Sequence, residues 1–267
     1  MAEPASADGD AQSRPAASAR PSTGEVFPGH RSGRRGVAIR GARILVAGAT
    51  GDIGSALAER LAGLGAVTAL AGRDPDRLAG VRERCGPGPS RTVDAWDLDG
   101  AEGTAAWAAR QLDGLDAVVV CVGVVAFGPV GEIGEAVAEQ VMAVNALAPM
   151  AILRSASTHV FPGGLLAAVT GTVARSAPAG MADYAAAKAA LATWPPSGRR
   201  ELRRSGVGVL EIFLPHVESG FAGRAVTGTA PALPPGVTVA QAVDTIVEGM
   251  RTDAWVMGPA ESKRGTS

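Results

Sequence analysis

Tyrosine is almost missing from this 267-residue chain, with Tyr184 the only one, and lysine is nearly as rare, with only Lys188 and Lys263 among many arginines. Aromatic residues make up 4% of the sequence, so a core must be built mainly from Val, Leu, Ile and Ala. The only cysteines, Cys85 and Cys121, have no metal-like spacing and no secretory context, and read as reduced thiols of a cytoplasmic protein. Neither sign of charge dominates: the net charge of −1 gives no basis for a nucleic-acid or acidic-membrane partner. No apolar stretch approaches the roughly 20 residues that cross a bilayer, so no membrane partner is expected.

Residues 1–40 are rich in Ala, Ser, Pro, Gly and Arg without hydrophobic periodicity, and lack the apolar segment of a signal peptide. They read as a disordered tail. Its arginines (Arg31, Arg34, Arg35, Arg40) could touch a polyanion, but a passive tail is the simpler reading. Residues 259–267 read as a second tail, leaving one α/β domain over 41–258.

The rarity of Tyr and Lys gives weight to their placement in Met181-Ala182-Asp183-Tyr184-Ala185-Ala186-Ala187-Lys188. Four residues apart on a helix, the two side chains share a face. A nearby ammonium favours the charged form of a phenol, which otherwise titrates near pH 10. Tyr184 is therefore a candidate proton donor and acceptor, with Lys188 as its modulator. A surface tyrosine above a solvated lysine is the plain alternative.

Order begins at Arg43–Ala47, an apolar run suited to a buried parallel strand. It feeds Gly48-Ala49-Thr50-Gly51-Asp52-Ile53-Gly54 and then a helical pattern. Glycines there serve a tight turn, a close approach to a pyrophosphate and the packing of helix on strand, and the phosphates sit at the helix N-terminus. The pattern predicts a dinucleotide. After the next strand, Gly72 leaves no acidic group for ribose hydroxyls and Arg73 offers a guanidinium suited to a 2′-phosphate, which favours NADP over NAD. Asp97 and Leu98 stand where they could flank an adenine. Leu115–Gly123 is the most apolar run and predicts the central strand.

Gly48–Gly54, Gly123, Asn145 and Tyr184-x-x-x-Lys188, in this order and spacing, resemble the short-chain dehydrogenase/reductase family over about Arg43–Gly258. The resemblance implies a single-domain Rossmann fold with a doubly wound, seven-stranded parallel sheet. It also implies NAD(P), a small carbonyl or alcohol substrate and a homodimer or homotetramer. It assigns Tyr184 and Lys188 to catalysis, Asn145 to a proton relay, Gly123 to cofactor passage, and Val217 and Ser219 to the loop over the nicotinamide. The chain departs from the family pattern at Asp52, usually a glycine, at Val120-Cys121-Val122-Gly123, and at His216. The family's serine, about thirteen residues before the tyrosine, falls on Gly171. Thr170, or else Thr172, is left to polarise the substrate carbonyl. Pro195-Pro196 predicts a kink or break in the helix that carries Tyr184.

Overall fold

The computed structural model describes residues 36–252 and 254–258. The apolar runs become strands: β1 (Arg43–Ala47), β2 (Val67–Gly72), β3 (Ser90–Thr92), β4 (Leu115–Val120), β5 (Val160–Val169) and β6 (Gly208–Ile212). Strands β7 (Val217–Glu218) and β8 (Val237–Thr238) pair with each other apart from the main sheet, and β9 (Val256–Met257) returns to its edge. The seven-stranded sheet runs β3-β2-β1-β4-β5-β6-β9, with every neighbouring pair parallel. Chain order reverses at β1 and β4, which opens a crevice at their carboxyl ends.

The connections are helical: α1 (Asp52–Gly63), α2 (Pro75–Cys85), α3 (Leu98–Leu112), α4 (Glu135–Met142), α5 (Ala148–Ala156), α6 (Val173–Ser176), α7 (Ala182–Leu202) and α8 (Val239–Arg251). Period-two alternation in β1 sends Ile44 and Val46 into one apolar layer and Leu45 and Ala47 into the other. The first layer includes Leu57 and Leu61 of α1 and Ile246 of α8, and the second includes Ala105 of α3, Ile152 of α5 and Leu191 of α7. A doubly wound Rossmann fold results.

Three expectations change. The predicted tail ends too late. Val37 and Ile39 are buried in the core, and Val37 N donates to Met250 O at 2.8 Å, so Gly36–Arg40 belong to the folded body. Residues 1–35 and 259–267 lie outside the described residues.

Second, helix α7 runs unbroken through Pro195 and Pro196. Two helix N–H groups are missing there, and tertiary contacts hold the far half in place. Pro195 and Gly198 are buried, the Trp194 ring covers Gly198, and Arg199 Nη2 donates to Trp255 O at 2.9 Å.

Third, a π-helical turn (Ala143–Leu147) joins α4 to α5, making one helix of 22 residues with a stretch of mean hydropathy 1.5. By length and composition this helix could cross a bilayer, contrary to the sequence reading, but half of that stretch is buried inside the fold. Pro149 lies inside this continuous helix, just past the π-helical turn, and supplies no N–H there.

Candidate active site

The glycine turn after β1 is shaped by what cannot fit. Register pairs Ala47 with Val120, so the residues that follow, Gly48 and Cys121, lie side by side. Gly48 has φ +88°, and a Cβ on it would lie 2.8 Å from the carbonyl carbon of Cys121. A Cβ on Gly54 would strike the carbonyl oxygen of Gly48. Helix α1 thus packs directly on the turn, and its N-cap, Gly51, brings no side chain to occupy the first-turn amides. Those free N–H groups and the closely approaching backbone fit a diphosphate.

The crevice beside this turn has a volume of about 210 Å³. Of the residues predicted to hold a cofactor, Gly48, Thr50, Gly51, Arg73 and Gly123 line it. A Cβ on Gly72 would lie 2.9 Å from Thr50 Oγ1, so this strand end is closed to an acidic side chain unless Thr50 moves. Arg73 is exposed beside it.

Other predicted residues have different placements. Ile53 and Gly54 are in α1, behind the turn. Asp97 caps α3, its Oδ1 accepting from Gly100 N at 3.1 Å, and Leu98 begins that helix; Val93 and Ala95 wall the crevice there instead. Val217 lies in β7, and Ser219 Oγ accepts from Phe221 N at 3.3 Å in a local turn. Arg77, Phe221 and Arg224 also line the crevice; the sequence reading took Phe221–Gly236 as a substrate lid but gave none of these three residues a cofactor role. Arg77 follows Arg73 by four residues, a spacing that could have suggested it.

At the other end of the crevice, Asn145 and Lys188 converge on Gly123. A Cβ there would lie 2.9 Å from Asn145 Oδ1 and 3.4 Å from Lys188 Nζ, so only glycine fits without displacing them. Asn145 is fully buried in the π-helical turn. Its Nδ2 donates to Val124 O at 2.9 Å and to Val141 O at 2.8 Å, while its Oδ1 accepts from Val124 N at 3.2 Å. The side-chain amide thus ties the π-helical turn to the chain that leaves β4.

Lys188 is buried, and its Nζ donates to Val169 O at 3.4 Å. Burial lowers its pKa to about 8, against a small upward pull from Cys121. Tyr184, one turn earlier on α7, packs near Phe221 with ring centroids 6.3 Å apart. Its phenol is pushed above the ordinary range, because burial disfavours the phenolate. In the free protein, desolvation works against the phenolate that the lysine's charge would favour.

Thr170 also departs from expectation. Its buried hydroxyl donates to Glu211 Oε1 at 2.8 Å, so its one proton is engaged away from a substrate carbonyl. Glu211, itself buried on β6, lies 3.9 Å from Arg175. At Gly171, the family's serine position, a Cβ would meet Leu214 O at 3.4 Å. Thr172 is only partly buried, and its side chain makes no cap bond to α6.

A search of curated protein sequences gives no match. Solved structures do. A short-chain dehydrogenase from Burkholderia cenocepacia in complex with NADP aligns with TM-score 0.73 and 23% identity, over 83% of this chain and 96% of that one. A short-chain oxidoreductase from Thermus thermophilus aligns with TM-score 0.66 and 28% identity, over 78% and 95%. A short-chain dehydrogenase from Sphingobium yanoikuyae in complex with NADPH aligns with TM-score 0.72 and 22% identity, over 82% and 87%. The family profile described as short chain dehydrogenase matches residues 42–228, and the chain belongs to that family of oxidoreductases.

Proposed function

We propose that the protein is an NADP-dependent oxidoreductase that interconverts a ketone or aldehyde and an alcohol. The observation carrying this reading is the convergence of Lys188 and Asn145 on Gly123, beside the glycine crevice and one helical turn from the sole tyrosine. Gly48 and Gly51 with the first-turn amides of α1 would hold the diphosphate, and Arg73 the 2′-phosphate. NADP bound in this way supplies or accepts the hydride. The two related structures bound to NADP and NADPH support this cofactor.

Tyr184 gives its proton to the substrate oxygen in reduction and takes it back in oxidation. Lys188 holds the ribose and, when charged, favours the phenolate. Asn145 fixes the β4 exit and continues the proton path. Phe221 packs beside the tyrosine ring at the mouth of this site. With Thr170 engaged by Glu211, Thr172 is the remaining candidate to polarise the carbonyl.

A second reading, a non-catalytic NADP-binding sensor or scaffold, draws support from Gly171 and from that engaged Thr170 hydroxyl. NADPH oxidation measured against a panel of carbonyl compounds separates the two. Turnover in the wild type, reduced at least about a hundredfold in Tyr184→Phe with NADPH binding retained, is the expected result. Tight NADPH binding with no turnover on the panel would favour the sensor.

A further inference from the structure

Asp52 is an unexpected residue for its position. As the first residue of α1 it sets a carboxylate beside the amides that receive a diphosphate in the reading above, and like charge there opposes an anion. Two arginines answer it. Arg224 Nη2 lies 2.6 Å from Asp52 Oδ2, and Arg77 Nη2 lies 3.7 Å from Oδ1. Both arginines line the crevice.

Arg77 belongs to the neighbouring α2, but Arg224 comes from 172 residues away, on the short turn Ala222–Arg224. The segment around that turn lies across the site as a lid. Phe221 packs near Tyr184, Val226 N donates to Val125 O at 2.8 Å, and Phe127 N donates to Thr227 O at 3.0 Å. Gly220 leaves no space beneath the pair: a Cβ there would strike the Arg224 guanidinium. One segment therefore touches the reaction end of the crevice through Phe221 and the phosphate end through Arg224.

We propose that the Asp52–Arg224 pair couples dinucleotide occupancy to the lid. Asp52 docks Arg224 at the phosphate site, and the arriving diphosphate is bound by the same guanidinium, which holds the lid down. A guanidinium carries five N–H donors in a planar fork, enough for a carboxylate on one edge and a phosphate on another. Without Arg224 the carboxylate repels the ligand; with it the site is net attractive. This inference rests on the dinucleotide reading above.

The test uses the full chain as wild type, Arg224→Ala, Arg224→Lys, Asp52→Asn and the double variant Asp52→Asn/Arg224→Ala. NADPH affinity is read from its fluorescence change, and lid position from the rate of trypsin cleavage after Arg224. Arg224 is about half exposed and packs outside the hydrophobic core, so its replacement leaves the core intact. Arg224→Ala is expected to weaken NADPH about tenfold, with Arg224→Lys recovering most of the loss. In the Asp52→Asn background the same truncation is expected to lose about threefold less, because no carboxylate needs masking. Without nucleotide, Asp52→Asn speeds the tryptic cut, and NADPH slows it in the wild type. Equal losses in the two backgrounds, an unchanged affinity in Arg224→Ala, or a cut indifferent to NADPH would overturn the coupling while leaving the dinucleotide reading intact. A wild type that binds no NADPH would remove that reading, and this one with it.

Discussion

The phosphate end of the crevice and its reaction end are built by different means. The first is made of omitted atoms: Gly48 and Gly54 stand where any Cβ would meet backbone. The second is made of side-chain hydrogen bonds between distant segments, Asn145 to Val124 and Thr170 to Glu211. Steric exclusion leaves few acceptable residues, whereas a hydrogen-bond network can be rewired with new partners. At the phosphate end Gly48 and Gly54 persist, and the one departure, Asp52, comes with its own partner in Arg224; at the reaction end the serine position and the β4 motif have changed.

The sharpest way to break this contrast is Gly54→Ala. Its methyl must displace the Gly48 carbonyl, so a destabilisation of about 1–3 kcal/mol with loss of NADPH binding is expected. Thermal melting and NADPH fluorescence check it, and a variant that binds normally would show the turn to be compliant. Gly171→Ser sharpens the other side. Leu214 O at 3.4 Å from the added Cβ leaves nearly enough room, so the protein should fold. Its kcat/KM for carbonyl reduction should rise about five- to tenfold if a hydroxyl is wanted there. No gain would mean that Thr172 or another donor already supplies it.

The smallest effect concerns pH. Lys188 titrates near 8, below the usual 10.5, because it is buried. Its ammonium, which helps to hold an anionic ligand, is present below that pH and lost as pH rises through it. NADPH affinity should therefore fall a few-fold between about pH 7 and pH 9, and Lys188→Met should flatten the profile. The stability effect runs the other way. Between about pH 8 and 10.5 the unfolded chain binds the extra proton, so the cost of burying the lysine's charge is relieved as pH rises. A profile unchanged in Lys188→Met would assign the titration to another group.

What was legible in the sequence follows the same division. β1, the glycine turn and α1 are contiguous, so their geometry is written in local spacing, and the Tyr184–Lys188 pair is one helical turn of a single segment. The Thr170–Glu211 bond joins positions 41 residues apart, and Arg224 meets Asp52 across 172, distances at which no local pattern speaks. Asp97, read as a possible adenine contact, is an Asx cap whose partner lies three residues on. Pro195-Pro196 misled for the opposite reason: the local cost is real, but buried Pro195, Trp194 and Arg199 override it. Gly36–Ile39 looked like tail because their partner, Met250, lies more than two hundred residues ahead.

The π-helical turn at Ala143–Leu147 bears on any attempt to align or graft this helix. It holds one residue more than an α-helical turn, so a uniform 3.6-residue count is out of phase by one position, about 100°, on one side of Asn145. A chimera spliced through Glu135–Ala156 by equal helix length would rotate that amide away from Val124. Splices should be counted outward from Asn145 in both directions.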